Sequence, residues 1–147
     1  MKTLIICLII ASFVHYTIIP INLVLIILIC RSYIISDKTN FFLAFAFGLL
    51  DSHFNLITLG LTSLIYLISV AIVESLSRSR LAGNAFLIVP LVFGLLLVNQ
   101  AILLYFTRQS LEINKILLEA LISLPIFYLV KIREEHFVVR KEIKLKV

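Results

Sequence analysis

The sequence predicts an all-α integral membrane protein of about six transmembrane helices with both termini in the cytoplasm, and three observations predict it. First, 62% of the 147 residues are hydrophobic and only 14% charged, with a mean hydropathy of +1.16. A soluble domain is about half apolar and a quarter charged, since its surface must face water. Second, the apolar residues form continuous runs, without the alternation of a barrel strand, and lipid leaves closed barrels and helices as the only spanning structures. Third, most of the Lys and Arg residues fall on one side of the resulting layout. At about 20 residues per span plus a turn, the chain has room for about six spans and no extramembrane domain.

Met1 and Lys2 open into the apolar run from Thr3 to Ala11, which has the shape of a signal peptide's first two regions. No Ala-x-Ala-like cleavage site follows and apolar sequence resumes at Ile18, so the segment reads as mature protein. Between Leu4 and Cys30 the residues His15, Tyr16, Thr17, Pro20 and Asn22 cluster. A turn there is less costly than burying them in one long helix, and Pro20 suits the first turn of a second helix, where its missing N–H is no loss. Further breaks fall at 31–40, 51–55, 76–84 and 107–115, each carrying charged or turn-forming residues. The expected spans are 3–15, 18–34, 39–53, 56–75, 84–106 and 114–131, followed by a basic cytoplasmic tail over 132–147.

With the N-terminus inside, the inner side collects Lys2, Arg31, Lys38, Arg78, Arg80, Lys131, Arg133, Arg140, Lys141, Lys144 and Lys146, eleven of the thirteen basic residues. Arg108 and Lys115 remain outside. A five-span layout breaks this alternation. The tyrosines agree, because their amphipathic rings favour the headgroup level. Tyr16 and Tyr105 fall at outer ends, Tyr33 and Tyr128 at inner ends, and Tyr66 alone falls mid-span, so its hydroxyl should find a partner within the bundle.

Polar groups inside spans are the functional candidates. Ala44, Gly48 and Ser52 recur every four residues in the third span, a ridge of small residues that lets another helix approach closely. Asp51 and Asn55 flank it. Asp51 reads either as a polar contact locking this hairpin to a partner helix or as an outer-end residue wetted by solvent. Asn99 and Gln100 in the fifth span read as helix glue, and Glu119 in the sixth must be protonated, paired or wet. Glu74 and Arg78 have the four-residue offset of an interfacial ion pair. Cys7 and Cys30 read as small core residues. His15, His53 and His136 lack metal-ligand spacing, and no nucleophilic triad, phosphate loop or Cys-x-x-Cys is present. No cofactor and no enzymatic activity is therefore expected. The tail's Lys131, Arg133, Arg140, Lys141, Lys144 and Lys146 suit anionic lipid headgroups rather than nucleic acid. The alternation of Ile143, Leu145 and Val147 between lysines leaves room for edge pairing with a cytoplasmic partner.

Pro20-Ile-Asn22-Leu-Val-Leu-Ile at the second span, Phe45-Ala-Phe-Gly48-Leu-Leu-Asp51 closing the third and Leu59-Gly60-Leu-Thr-Ser-Leu opening the fourth resemble the bacterial rod shape-determining MreD family. About 60 residues carry the resemblance, with Pro20, Gly48, Asp51 and Gly60 as the matching positions. It implies a non-enzymatic, multi-pass scaffold of the cell-elongation machinery in the bacterial cytoplasmic (inner) membrane. Such a scaffold would bind an MreC-like protein, through it a RodA-like polymerase with its class B penicillin-binding transpeptidase, and an MreB-like filament. The implied six-helix bundle is similar to the S-component, the substrate-binding subunit of energy-coupling-factor vitamin transporters, so transport is the alternative. The Ala-x-x-x-Ala docking pattern of those subunits is absent from the first span, where Ala11 is followed by His15. A proton-coupled exporter would need a central carboxylate, for which Glu119 is the candidate. Short loops leave helix faces as the expected binding surface, with the Gly48 ridge foremost.

Overall fold

The computed structural model describes residues 2–18, 21–54, 60–77, 85–107 and 112–145. Pro20, Asn55, Arg78 and Lys146 lie outside the described residues, and of Arg140, Lys141 and Lys144 only the backbone is described. Within them the chain is all-helical: α1 (Lys2–Thr17), α2 (Leu23–Ile34), α3 (Lys38–Phe54), α4 (Leu61–Ser77), a short 3-10 turn (Ala85–Leu87), α5 (Ile88–Thr107) and α6 (Ile113–Leu145). Long apolar runs make the helices, and polar residues with local hydrogen bonds end several of them. Asn22 caps α2, its side chain accepting from the Leu25 N–H. That cap starts the helix at Leu23, later than the residue 18 expected. Asp37 caps α3 in the same way, accepting from the Thr39 N–H and hydroxyl. Gly60, with φ of +98°, leads into α4 through a conformation that a Cβ would strain.

α2 is the centre of the bundle and touches each of the other five helices. It carries no exposed large apolar side chain, and Leu25, Ile26, Leu28 and Ile29 are fully buried among Leu8 of α1, Val70 of α4, Leu96 of α5 and Ile116 of α6. Against it, α3 and α4 form a tight hairpin. The ridge of Ala44, Gly48 and Ser52 is buried there, and a Cβ on Gly48 would lie 2.5 Å from the Ser63 Cα. The ridge therefore serves α4 of the same chain, which corrects the expectation that it offers a face to another protein.

α6 differs most from expectation. It is a continuous helix of 33 residues, about 50 Å at 1.5 Å per residue. It passes through Pro125, which removes one backbone N–H. The expected separate tail is instead its last turns, so Ile143 and Leu145 lie on a helix and not on a strand edge. Two helices, α5 and α6, are long and apolar enough to cross a membrane.

Large apolar side chains cover much of the bundle's surface, and several charged and amide side chains are buried beside the apolar core. Ile6, Ile10 and Phe13 of α1, Phe42 of α3, Leu64 and Ile68 of α4, and Leu129 of α6 are exposed. Arg31, Asn40, Asp51, Glu74, Asn99, Glu119 and Glu134 are buried. Cys30 is buried, as expected, whereas Cys7 is exposed on α1. Tyr33 is buried and packs edge-on against Phe127.

Candidate functional site

The buried polar groups gather into two networks at opposite ends of the bundle. Alternating helix directions bring residues distant in sequence to a common level, and each network crosses several helices.

The first lies where α1 and α3 end and α2 begins. Tyr66, fully buried on α4, has its hydroxyl 2.8 Å from Asn22 Oδ1 and 3.1 Å from Asp51 Oδ2. Asp51 Oδ1 faces His15 Nε2 at 4.0 Å, and His15 Nδ1 bonds the Ile21 carbonyl. The backbone N–H of Asn22 donates to Glu119 Oε1 at 3.0 Å. Five helices thus meet through five polar residues. Asp51 is 4% exposed and Glu119 2%, so neither is bathed in solvent. Burial of this kind in a low-dielectric interior is tolerable only where partners satisfy the groups.

The second network lies where α2 and α4 end. Arg31 is 4% exposed, its Nε 3.4 Å from Glu134 Oε1 and its Nη1 bonded to Asn40 Oδ1. Asn40 Nδ2 donates to the Ile35 carbonyl at 2.7 Å and to Glu74 Oε1 at 3.1 Å. Ser36 donates to Glu74 Oε2 at 3.2 Å. Arg133 donates to Glu134 at 2.7 Å and reaches the Thr3 hydroxyl of α1 at 2.9 Å. Glu74 is therefore engaged by Asn40 and Ser36, and its expected pair Arg78 lies outside the described residues. Arg133, expected at lipid headgroups, makes these contacts within the protein with its side chain part exposed. Lys131 remains exposed and sits 4.0 Å from Glu135. At the rim the Thr39 hydroxyl, donating at 2.7 Å, holds the Asp37 carboxyl below the ordinary carboxylate range.

Asn22, His15, Arg31, Asn40 and Glu134 enter these networks although the sequence reading placed them at turns, in a motif or in the charge balance and not among the candidate site residues. The one signal that pointed to them was polarity next to apolar runs, which a loop or tail explains equally well. Asn99 and Gln100, expected to bond across helices, have acceptor oxygens, Oδ1 and Oε1, that are buried and lack a hydrogen-bond partner. Among the described residues no three His, Cys, Asp or Glu side chains group as a metal site. Two small hydroxyls are absorbed by their own helix, Ser52 onto the Gly48 carbonyl and Ser69 onto that of Ile65. Ser63 crosses instead to the Phe45 carbonyl of α3, at 3.2 Å.

No family model matches the chain, and no curated protein or solved structure matches it. The two networks are therefore read from their own geometry. Both knit helices together, and most of their donors and acceptors are spent on one another.

Proposed function

We propose that the chain is a six-span, non-enzymatic scaffold of the bacterial cytoplasmic membrane, of the kind the MreD resemblance implies, holding an MreC-like partner by its outer helix faces. One observation carries the membrane part: large apolar side chains point outward while charged and amide groups lie inside. Only 28% of the apolar stretch of α5 and 33% of that of α6 are buried, which is too little for core helices of a soluble protein. The short α2 fits a bilayer because other helices shield it, and irregular backbone at membrane depth is tolerated where protein covers it. The length of α6 carries its last turns, with Arg140, Lys141 and Lys144, beyond an apolar layer of about 30 Å. There they meet anionic lipid or a cytoplasmic partner.

The scaffold part is supported by networks that join helices and by the lack of catalytic residues in the sequence. With the Gly48 ridge occupied by α4, the faces left for a partner are those of α1, α3, α4, α5 and α6 that carry Ile6, Phe42, Ile68, Val98 and Leu121. A small transporter is the second reading, favoured by the buried Glu119 carboxylate. Purification from mild detergent tests both. Co-elution of an MreC-like chain is the expected result, whereas a bound vitamin or an associated ATPase module overturns the scaffold.

A further inference from the structure

We propose that the last turns of α6 form a parallel coiled coil with α6 of a second copy of this chain, along a seam of Leu129, Ile132, His136, Val139 and Ile143. The proposal rests on the membrane part of the reading above and on none of its partners. On α6 these positions follow one another at intervals of three, four, three and four residues. That period of 3.5 keeps a single stripe turned toward a neighbour as two helices supercoil. Leu129 is 67% exposed, Ile132 is 56% exposed and His136 is exposed as well, so the chain's own bundle leaves the stripe uncovered. From 137 to 145 the continuous helical backbone fixes the register of the remaining positions.

Within lipid an apolar stripe needs no cover. Beyond Lys131 it does, and α6 runs on from Ile132 to Leu145, about 20 Å at 1.5 Å per residue. The opposite face is already in use, since Phe127, Val130 and Glu134 are buried against the bundle. Because α6 is one unbroken helix, its end projects from the bilayer and does not lay the stripe along the lipid surface. Two copies inserted with the same topology carry their α6 helices parallel and level, which supplies the alignment that a coiled coil requires.

The charges fit a second copy. With Leu129, His136 and Ile143 at a positions and Ile132 and Val139 at d positions, Glu135 takes a g position and Arg140 the e position that follows it. In a parallel pair a g residue faces the next e residue of the other helix, so Glu135 of each copy meets the Arg140 position of the other, and the two-fold axis repeats the pair. The Glu135 side chain is 63% exposed, with Lys131 of its own helix 4.0 Å away, and lies at the edge of the seam. Arg133, at the preceding e position, is engaged by Glu134 and Thr3 of its own chain. His136, polar at an a position, favours the alignment in which it meets its like.

Cysteine scanning tests the seam. In full-length chain carrying Cys7→Ser, with the buried Cys30 kept, single substitutions Leu129→Cys, Ile132→Cys, Val139→Cys and Ile143→Cys are compared with Lys131→Cys and Lys141→Cys off the seam. Cells are fractionated and their membranes oxidised with copper phenanthroline and air, which couples two facing thiols into a disulfide. A band at twice the monomer mass is expected for the seam positions and not for the other two. Bands of equal strength at all six positions, no such band in membrane-embedded chain, or seam bands at another mass, which mark a foreign chain, each overturn the proposal alone. Chain found in the soluble fraction overturns the membrane reading as well. Charge exchange then tests the copy itself, with purified Val139→Cys protein in phosphatidylethanolamine–phosphatidylglycerol bilayers. Glu135→Arg alone and Arg140→Glu alone are expected to lose most of the crosslinked fraction, and the two together on one chain to restore it. A double variant no better than the single ones overturns the pairing.

Discussion

Gly48 and Ser63 bring the backbones of α3 and α4 into direct contact: a Cβ on Gly48 would meet the Ser63 Cα at 2.5 Å and its N at 2.9 Å. Neither atom can rotate away, so the helices themselves must separate. Gly48→Ala is expected to destabilise the bundle by about 1–3 kcal/mol through overpacking, despite the better helix propensity of alanine. Ala44 at the same face tolerates its methyl and provides the control. Unfolding in mixed micelles with increasing SDS measures the difference, and unchanged stability of the variant would contradict the close approach.

Arg31 and Glu134 stand 103 positions apart in the chain yet form a buried pair at 3.4 Å that fixes α2 to α6. Removing one partner strands the other in a low dielectric. Arg31→Ala alone or Glu134→Ala alone is expected to cost about 3–5 kcal/mol, whereas replacing both by methionine is expected to recover most of that loss. The non-additivity of a double-mutant cycle is the quantity to measure. Additive effects would show that the charges do not interact.

Asn22 performs three tasks that substitutions separate. Its side-chain oxygen caps α2 and accepts from Tyr66, while its backbone N–H serves Glu119. Asn22→Ala is expected to lose about 1 kcal/mol for the cap and a further ~1–3 kcal/mol for the stranded Tyr66 hydroxyl. Asn22→Ser keeps a capping oxygen on a shorter arm and should retain the cap while losing the tyrosine. Thermal unfolding of the two variants beside Tyr66→Phe measures each share.

Helix existence was legible in the sequence because long apolar runs in this chain have only one way to satisfy their backbone. The limits of α1, α3, α4 and α5 fall near those expected, since Asp37, Gly60 and other turn-forming residues act locally. α6 was not legible in its full length, because Lys131 to Lys144 reads as a solvated tail when charge is weighed and as good helix when propensity is. Tyr66 announced a buried partner by its lone mid-span position, and Asp51 by its place beside the small-residue ridge. Arg31 and Glu134 announced nothing. Charges at span ends have a complete explanation in topology, and only the fold brings these two together across the chain.

Asp37 gives the α2–α3 turn a defined pH response. The Thr39 hydroxyl and backbone N–H both donate to its carboxylate, with Arg31 nearby, and its folded value is held below the ordinary one by that hydroxyl first. A carboxyl with a depressed folded value stabilises fully above its unfolded value and loses that contribution as pH falls through the folded one. The window therefore lies below roughly pH 4, the ordinary aspartate value. In that window the α3 cap is expected to weaken as acid is added. Asp37→Asn keeps the capping oxygen while removing the titration, so its unfolding midpoint should be flatter than that of the wild type over that window and lower above it. Thr39→Val, which removes the hydroxyl donor and keeps the backbone N–H, should give an intermediate slope. Parallel acid titrations of wild type and Asp37→Asn in the same bilayers would show no difference if the turn carried no such coupling.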